Sequence, residues 1–319
     1  TKGERAVTSG PTIDAESLAV LAQAPIDFGA VLGSLSDDTI AGVREQLAAL
    51  PALPPTEGVE WVDHDVPASE GVVLRVYRPE GVTGALPCVY WIHGGGLVLG
   101  AYDEEGPRLE SWCLAHRCAA VSVDYRLAPE HPYPAAIDDC LAGLQWVFAH
   151  AAEIGVDATR IGVGGASAGA GLAAALALRA RDETDLALSF QLLIYPMLDD
   201  RQATRSSQWD EKVWPPSANT YAWTAYLGDA KGGPDVSPYA APARATDLGG
   251  LPPAYVMVGS ADGFVDEDVD YAERLRGAGV EVDLHVYAGG FHGFDGAAAG
   301  AALANRANAD IDAWLAAHL

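Results

Sequence analysis

The sequence predicts an α/β fold in which a mostly parallel central sheet is flanked by helices and carries a helical cap. Three observations lead to this prediction. Six short apolar runs alternate with helical patterns from residue 88 onward, two earlier segments alternate apolar and polar residues, and an aromatic-rich insert interrupts the later pattern. The 319 residues, 50% of them hydrophobic, are enough to bury one large core.

The N-terminal part of the chain is predicted to be helical. Apolar residues recur at helical spacing over residues 14–50, and Ser36 is the expected N-cap of one helix. The proline-rich run at 51–55 then ends the helical region and serves as a linker.

Two kinds of strand are predicted after this linker. Segments 59–66 and 72–77 alternate apolar and polar residues, which indicates a half-buried antiparallel hairpin around residues 69–71. The later apolar runs show no alternation, which is typical of parallel strands buried on both faces. The predicted parallel strands are 88–92, 119–123, 161–164, 188–194, 254–258 and 282–286, and the predicted helices are 135–152, 168–181, 266–276 and 301–317.

The segment at about 199–245 is predicted to be a cap insertion between two core strands. It concentrates aromatic residues among prolines and charges. These aromatics either line a substrate pocket or pack inside the insert, and the sequence leaves both interpretations open. We therefore divide the chain into residues 1–55, a cap segment with linker, and residues 56–319, the main α/β domain. The aromatics are Trp209, Trp214, Tyr221, Trp223 and Tyr226, of which Trp209, Trp214 and Tyr221 are the candidate substrate-binding residues.

The charge of the chain excludes two classes of partner. The formal net charge is -25, with 44 acidic against 19 basic residues, and lysine occurs only at Lys2, Lys212 and Lys231. Nucleic acids and anionic membranes would be repelled over a Debye length of about 8–10 Å. A neutral or cationic small substrate fits this charge. The acidity is compatible with salt adaptation and with genomic bias.

The four cysteines do not indicate a metal site. Cys88, Cys113, Cys118 and Cys140 form no CxxC pair and have no histidine at metal-ligand spacing. Buried reduced thiols are predicted, with a Cys113–Cys118 bridge as the alternative. No run reaches the roughly 18 apolar residues that a membrane span needs, so a soluble, cytoplasmic protein is the default expectation. The chain begins without Met, which leaves a trimmed terminus open.

The motif Gly165-Ala166-Ser167-Ala168-Gly169 is the most specific chemical signal in the chain. It follows a predicted strand and precedes a helical run, which is the context that GxSxG requires for a nucleophilic serine. The two glycines allow the tight turn that pushes the serine hydroxyl out over the sheet edge. The alternative, a glycine-rich turn with an incidental serine, is disfavoured by this placement.

A second motif, His93-Gly94-Gly95-Gly96, follows the strand at 88–92. Glycine-rich loops of this kind supply backbone N–H donors for an oxyanion. We assign the donors to Gly95, Gly96 and Ala168, while His93 and Gly94 shape the loop. A phosphate-binding turn is the alternative, but neither GxGxxG nor a Walker sequence is present. Both motifs therefore point to acyl transfer.

Chain order selects the base and the acid. A serine needs a proton acceptor with a pKa near neutrality, which means a histidine, and His292 follows the last predicted strand. Asp262, after the strand at 254–258, is the predicted acid. Asp266 is the competitor, but it stands where it would cap or begin a helix, and that structural role explains it without catalysis. His285 falls inside a strand. His64, His116, His150 and His318 lie in segments without another chemical signal.

With these motifs and the segment 124–136, whose sequence is DYRLAPEHPYPAA, the chain resembles the hormone-sensitive-lipase-like esterases, bacterial family IV of the α/β-hydrolase superfamily. The resemblance implies the α/β-hydrolase fold, a cap built from the N-terminal helices and the insert, and short- to medium-chain ester substrates. It also implies that Tyr125 and Glu130 have structural roles. Members often form dimers, although no interface segment is evident here. Three departures, Ala166, Ala170 and Gly263, touch no catalytic atom and bear on substrate preference and rigidity.

The predicted function is carboxylic ester hydrolysis through an acyl-enzyme on Ser167, with His292 as base and Asp262 orienting it, and without cofactor or metal. Amide or peptide hydrolysis is the alternative, because the same residues and fold serve that chemistry. A non-catalytic ligand-binding relative is a further alternative. Such proteins usually lose one of the three residues, and all three are present here.

Overall fold

Eight strands form one sheet at the centre of the computed structural model, which describes residues 8–50, 54–67, 69 and 71–319. The spatial order is β1-β2-β4-β3-β5-β6-β7-β8. β2 is antiparallel to both of its neighbours, and all other adjacent strands are parallel. The strands are β1 (Val59–Asp65), β2 (Val73–Pro79), β3 (Leu86–Ile92), β4 (Ala119–Asp124), β5 (Val156–Ala166), β6 (Gln191–Ile194), β7 (Ala254–Gly259) and β8 (Val282–Tyr287).

Helices cover both faces of this sheet and create two cores. In β3 every residue is buried, with Cys88, Tyr90 and Ile92 in one core and Val89 and Trp91 in the other. The first core contains residues of α5 and α6, and the second contains residues of α4 and α10. The helices are α1 (Ala15–Leu21), α2 (Phe28–Gly33), α3 (Ile40–Ala48), α4 (Gly106–His116), α5 (Ala135–His150), α6 (Ala168–Glu183), α7 (Pro216–Leu227), α8 (Val265–Gly277), α9 (Phe294–Ala297) and α10 (Ala302–His318).

The predicted fold class, a mostly parallel sheet flanked by helices, is confirmed. The hairpin of β1 and β2 is antiparallel as predicted. β8 departs from the expected burial on both faces, because it forms an edge of the sheet and is only partly covered. Helix α4 was not predicted, since it opens on Gly106-Pro107, a pair that favours a turn, and buries only a narrow stripe.

Several local predictions need correction or lie outside the described residues. The helical region 14–50 is three short helices, and the prediction that Ser36 is an N-cap is wrong: its hydroxyl pairs with the Thr39 hydroxyl in the turn before α3. The strand predicted at 188–194 begins only at Gln191. Residues 51–53 of the linker, and residue 70 in the hairpin turn, lie outside the described residues.

The N-terminal helices and the insert contact each other beside the loop that follows β3. Ser217 in α7 donates a hydrogen bond to the Gly33 carbonyl at 3.2 Å, and the Tyr221 hydroxyl donates to Asp37 at 3.2 Å. Arg44 in α3 donates to the Val98 carbonyl at 2.9 Å. Helix α1 instead lies against α9 and α10. The division of the chain into a cap and a main domain stays a prediction.

Candidate active site

Ser167 stands at the junction of β5 and α6 in a backbone conformation that is rare for a residue with a side chain. Its φ is 56° and its ψ is −120°. The Ser167 amide donates to the Ile194 carbonyl at 2.9 Å, and its carbonyl accepts from the Met197 amide at 3.0 Å, so the junction is held from both sides. A Cβ on Gly165 would lie 2.4 Å from the backbone of Gly169, which is why the turn needs glycine.

His292 and Asp262 lie in line with this serine. His292 Nε2 is 2.9 Å from Ser167 Oγ, and His292 Nδ1 is 2.9 Å from Asp262 Oδ2. All three side chains are buried. The Phe264 amide donates to Asp262 Oδ1 at 2.9 Å and fixes the carboxylate. The rings of Phe264 and Tyr195 meet the imidazole edge to face, at centroid distances of 5.0 and 4.8 Å.

The surroundings of the His292 imidazole favour its protonated form. Burial disfavours the imidazolium, but the charge of Asp262 and its hydrogen bond outweigh burial and raise the pKa of His292 above 6.5. Because Asp262 bonds Nδ1, the Nε2 atom is left to take a proton from the serine.

The loop after β3 brings backbone amides beside Ser167. A Cβ on Gly94 would lie 3.0 Å from the Ala166 carbonyl oxygen and 3.5 Å from the Ser167 Cβ, so this loop runs close beside the turn that carries the nucleophile. Gly95 and Gly96 have φ values of 100° and 63°, which favour glycine. Among the described residues, the backbone amides of Gly95, Gly96 and Ala168 donate no hydrogen bond to a carbonyl group or a side chain. Such free donors are what an oxyanion requires.

His93 and Tyr125 support this loop from below. Their rings stack with centroids 4.2 Å apart, and the Tyr125 hydroxyl donates to the His93 carbonyl at 3.0 Å. Burial lowers the pKa of His93 to about 4, so its ring is neutral at physiological pH. Glu130 pairs with Arg44 of α3 at 2.7 Å, which ties the segment after β4 to the N-terminal helices.

Glu211, a residue not singled out from the sequence, contacts the same histidine. It belongs to the insert and is buried, and its Oε1 accepts a hydrogen bond from the His292 backbone amide at 2.7 Å. The stretch Trp209-Asp210-Glu211-Lys212 looks like an exposed charged turn. Nothing in the sequence distinguishes Glu211 from Asp210.

The three candidate substrate-binding aromatics occupy different places. Trp214 lies against the loop after β3, because a Cβ on Gly96 would meet its indole at 2.2 Å. Trp209 and Trp214 line a small cavity together with Glu211 and Phe264. The Tyr221 hydroxyl instead bonds to Asp37, and the structure does not bring this side chain to Ser167.

The competing acid and the cysteines have other surroundings. Asp266 lies in the first turn of α8, where its carboxylate accepts from the Ser206 amide at 2.9 Å instead of capping its own helix. His285 lies in β8, as predicted.

All four cysteines are free and buried, so the Cys113–Cys118 bridge is not formed. Within the described part of the chain, no cluster of three or more metal-ligating side chains occurs, and no helix is both long and apolar enough to cross a membrane.

Comparison with protein families gives a match over residues 89–296 to a family with the alpha/beta hydrolase fold. Among curated proteins, the chain is similar to the esterase LipI of Mycobacterium tuberculosis, with 36% identity over 90% of this chain and 89% of that protein. It is also similar to the carboxylesterase NlhH of Mycobacterium tuberculosis, with 38% identity over 86% of each chain.

Solved structures give the same result. A bacterial heroin esterase superposes with a TM-score of 0.86 at 38% identity, covering 97% of this chain and 98% of that one. A thermostable esterase from Pseudomonas putida superposes with a TM-score of 0.87 at 32% identity, covering 98% of this chain and 99% of that one.

Proposed function

Since this chain belongs to the alpha/beta hydrolase fold family, among its hormone-sensitive-lipase-like members, and is a carboxylic ester hydrolase, we propose that it cleaves short- to medium-chain acyl esters through Ser167, His292 and Asp262. The resemblance drawn from the motifs is thereby confirmed at the level of the family. The assignment of each residue to a role rests on the geometry of the site.

The first half of the reaction forms an acyl-enzyme. Ser167 Oγ attacks the ester carbonyl while His292 Nε2 takes its proton. The amides of Gly95, Gly96 and Ala168 donate to the oxyanion that develops on the carbonyl oxygen. His292 then passes the proton to the departing alcohol oxygen, and the carbon–oxygen bond to the alcohol breaks.

The second half repeats the same steps with water. His292 removes a proton from a water molecule, which attacks the acyl carbon, and the proton is returned to Ser167 as the acid leaves. Asp262 keeps the imidazole in the required tautomer and stabilises the imidazolium throughout. Apart from the ester and the water molecule, the groups used in this cycle are side chains or backbone amides of the chain.

The observation that most strongly supports this assignment is the pair of 2.9 Å contacts at His292, one to Ser167 and one to Asp262. A nucleophile and its base at hydrogen-bond distance, with a third group orienting the base, is the arrangement that acyl transfer requires. The Trp214 indole lies beside Gly96, so a substrate held by the proposed oxyanion donors would lie close to this ring.

The test is a series of p-nitrophenyl esters from acetate to dodecanoate, with the matching p-nitroanilides and the Ser167→Ala variant. We expect kcat/KM to be highest between acetate and octanoate, anilide turnover to be far slower, and Ser167→Ala to lose both. Equal or faster anilide turnover would favour amide hydrolysis, and turnover that survives in Ser167→Ala would refute the assignment of the nucleophile.

Three broader expectations remain proposals. The net charge of -25 supports neutral or cationic esters over anionic ones, which matched substrates differing only in a remote charge would test. Pairing of two copies and a cytoplasmic location also stay predictions. Size-exclusion chromatography with light scattering measures the pairing.

A further inference from the structure

We propose that Glu211 is a positioning residue for the base: a buried carboxylate of the insert that anchors the backbone of His292 and adds a second negative charge beside it. This inference rests on the proposed function, because it assumes that His292 accepts the proton of Ser167. It assigns a role to a residue that touches neither the substrate nor the reacting atoms.

Three backbone amides surround the Glu211 carboxylate. Oε1 accepts from His292 at 2.7 Å, while Oε2 accepts from Val213 at 2.5 Å and from Trp214 at 2.6 Å. Glu211 is only 4% exposed, so these amides stand in for water. A carboxylate suits three donors because it only accepts hydrogen bonds, whereas the amide group of glutamine would turn an N–H toward at least one of them.

Among the residues that the structure describes, no lysine or arginine neutralises the charge of Glu211. The charged groups around His292 are Asp262, Glu211 and Asp295, and the ring of Tyr195 packs on its edge. Asp295 pairs with Arg108 at 2.6 Å, whereas no lysine or arginine among the described residues forms an ion pair with Glu211. When His292 becomes an imidazolium during the reaction, Glu211 therefore stabilises it together with Asp262.

Burial opposes this arrangement. Desolvation and repulsion from Asp262 raise the pKa of Glu211 above its usual value, while the amides of His292 and Val213 lower it. A buried carboxylate that keeps only backbone partners is costly for the fold. The three backbone hydrogen bonds offset part of this cost and hold the carboxylate next to His292.

Glu211 also connects the base to the opposite side of the site. The Trp214 amide binds the carboxylate, and the indole of the same residue lies against Gly96 in the proposed oxyanion loop. One side chain of the insert thus fixes the histidine loop and the residue that covers Gly96. A shift of the insert would move both.

The test compares Glu211→Gln, which removes the charge, with Glu211→Asp, which keeps the charge and shortens the reach. Steady-state kcat and KM are measured for p-nitrophenyl butyrate over the range of pH, with melting temperatures alongside. Glu110→Gln is the matched control, since Glu110 in α4 is also 4% exposed and accepts a backbone amide, that of Thr56 at 2.8 Å, without a hydrogen bond or ion pair to His292 or Asp262.

Misplacing a catalytic group by about 1 Å can cost of the order of 10²-fold, so we expect Glu211→Gln to lower kcat by about that factor with little change in KM. Loss of the negative charge also lowers the pKa of the imidazole, so the acid limb of kcat/KM moves to lower pH in Glu211→Gln. Glu211→Asp should have a lower kcat, whereas the acid limb of its kcat/KM profile should stay at the wild-type pH. Glu110→Gln lowers the melting temperature and keeps both kinetic properties.

The inference is wrong if Glu211→Gln keeps the wild-type kcat and acid limb, or if Glu110→Gln changes them equally. Should Glu211→Gln fail to fold, Glu211→Asp decides alone, because wild-type kcat in that variant contradicts a positioning role. Ser167→Ala in the same series separates the two ideas. Full turnover by Ser167→Ala refutes the proposed function itself, whereas an inactive Ser167→Ala beside an unaffected Glu211→Gln refutes only this inference.

Discussion

Replacing Gly169 by alanine is expected to separate the nucleophile from the loop after β3. A Cβ at this position would lie 2.0 Å from the Ile92 carbonyl oxygen and 2.4 Å from that of His93. An ordinary contact needs at least 3.4 Å, and both obstacles are backbone atoms that cannot swing away. The start of α6 and the loop must therefore move apart by roughly 1.4 Å to restore an ordinary contact, and a displacement of even about 1 Å can cost of the order of 10²-fold in rate.

The assay for Gly169→Ala is kcat/KM for p-nitrophenyl butyrate together with the melting temperature. We expect a loss of about 10²-fold in kcat/KM, and overpacking of this kind costs about 1–3 kcal/mol of stability. Gly42→Ala in α3 is the matched control, because a Cβ there meets nothing within 4 Å. That substitution should leave activity unchanged and stabilise the protein by about 0.5–1 kcal/mol.

A Gly169→Ala variant with kcat/KM within threefold of wild type and an unchanged melting temperature would refute this reasoning. It would mean that the close approach of α6 to the loop is not required for the site. Equal losses in Gly42→Ala would point to a general effect of the added methyl group.

Three other predictions follow from the structure. Asp262→Asn should lower kcat by about 10⁴-fold, the scale for a triad acid, whereas Asp266→Asn should lose mainly stability, and the reverse order would show that the acid is misassigned. Burial lowers the pKa of His292, but the charge of Asp262 and its hydrogen bond outweigh burial and raise it overall. A protonated imidazole cannot accept the serine proton, so kcat/KM should fall on the acid side at a higher pH than an unperturbed histidine would give. A pH profile that is flat down to pH 5 would contradict this. An alkylating reagent should label none of the four cysteines in the native protein and all four after denaturation without a reductant, while two unreactive thiols would indicate a bridge.

Much of the site was predictable because its residues sit at fixed places in the chain. Ser167 follows a buried strand within GxSxG, and the carboxyl ends of β5, β7 and β8 meet at one edge of the sheet, so the side chains that follow them come together. Chain order and strand ends therefore carried most of the information about Ser167, Asp262 and His292.

Glu211 and α4 could not be found in the same way. The position of Glu211 depends on how the insert folds back over the sheet, and its neighbours Asp210 and Lys212 give it the pattern of a solvated turn. Helix α4 opens with a glycine and a proline, which mask its short apolar stripe. The sequence left the role of the insert aromatics open for a similar reason, because an aromatic side chain such as Tyr221 can pack against the N-terminal segment as readily as it can line a pocket.

The most direct test of the account is covalent labelling with diethyl p-nitrophenyl phosphate, followed by peptide mass spectrometry. The account predicts release of one equivalent of p-nitrophenol per active protein, loss of esterase activity in step with it, and a phosphoryl adduct on the peptide that contains Ser167. The Ser167→Ala variant should release none. An adduct on another residue, or unchanged ester hydrolysis after Ser167 is fully modified, would contradict the central claim that Ser167 carries the acyl group.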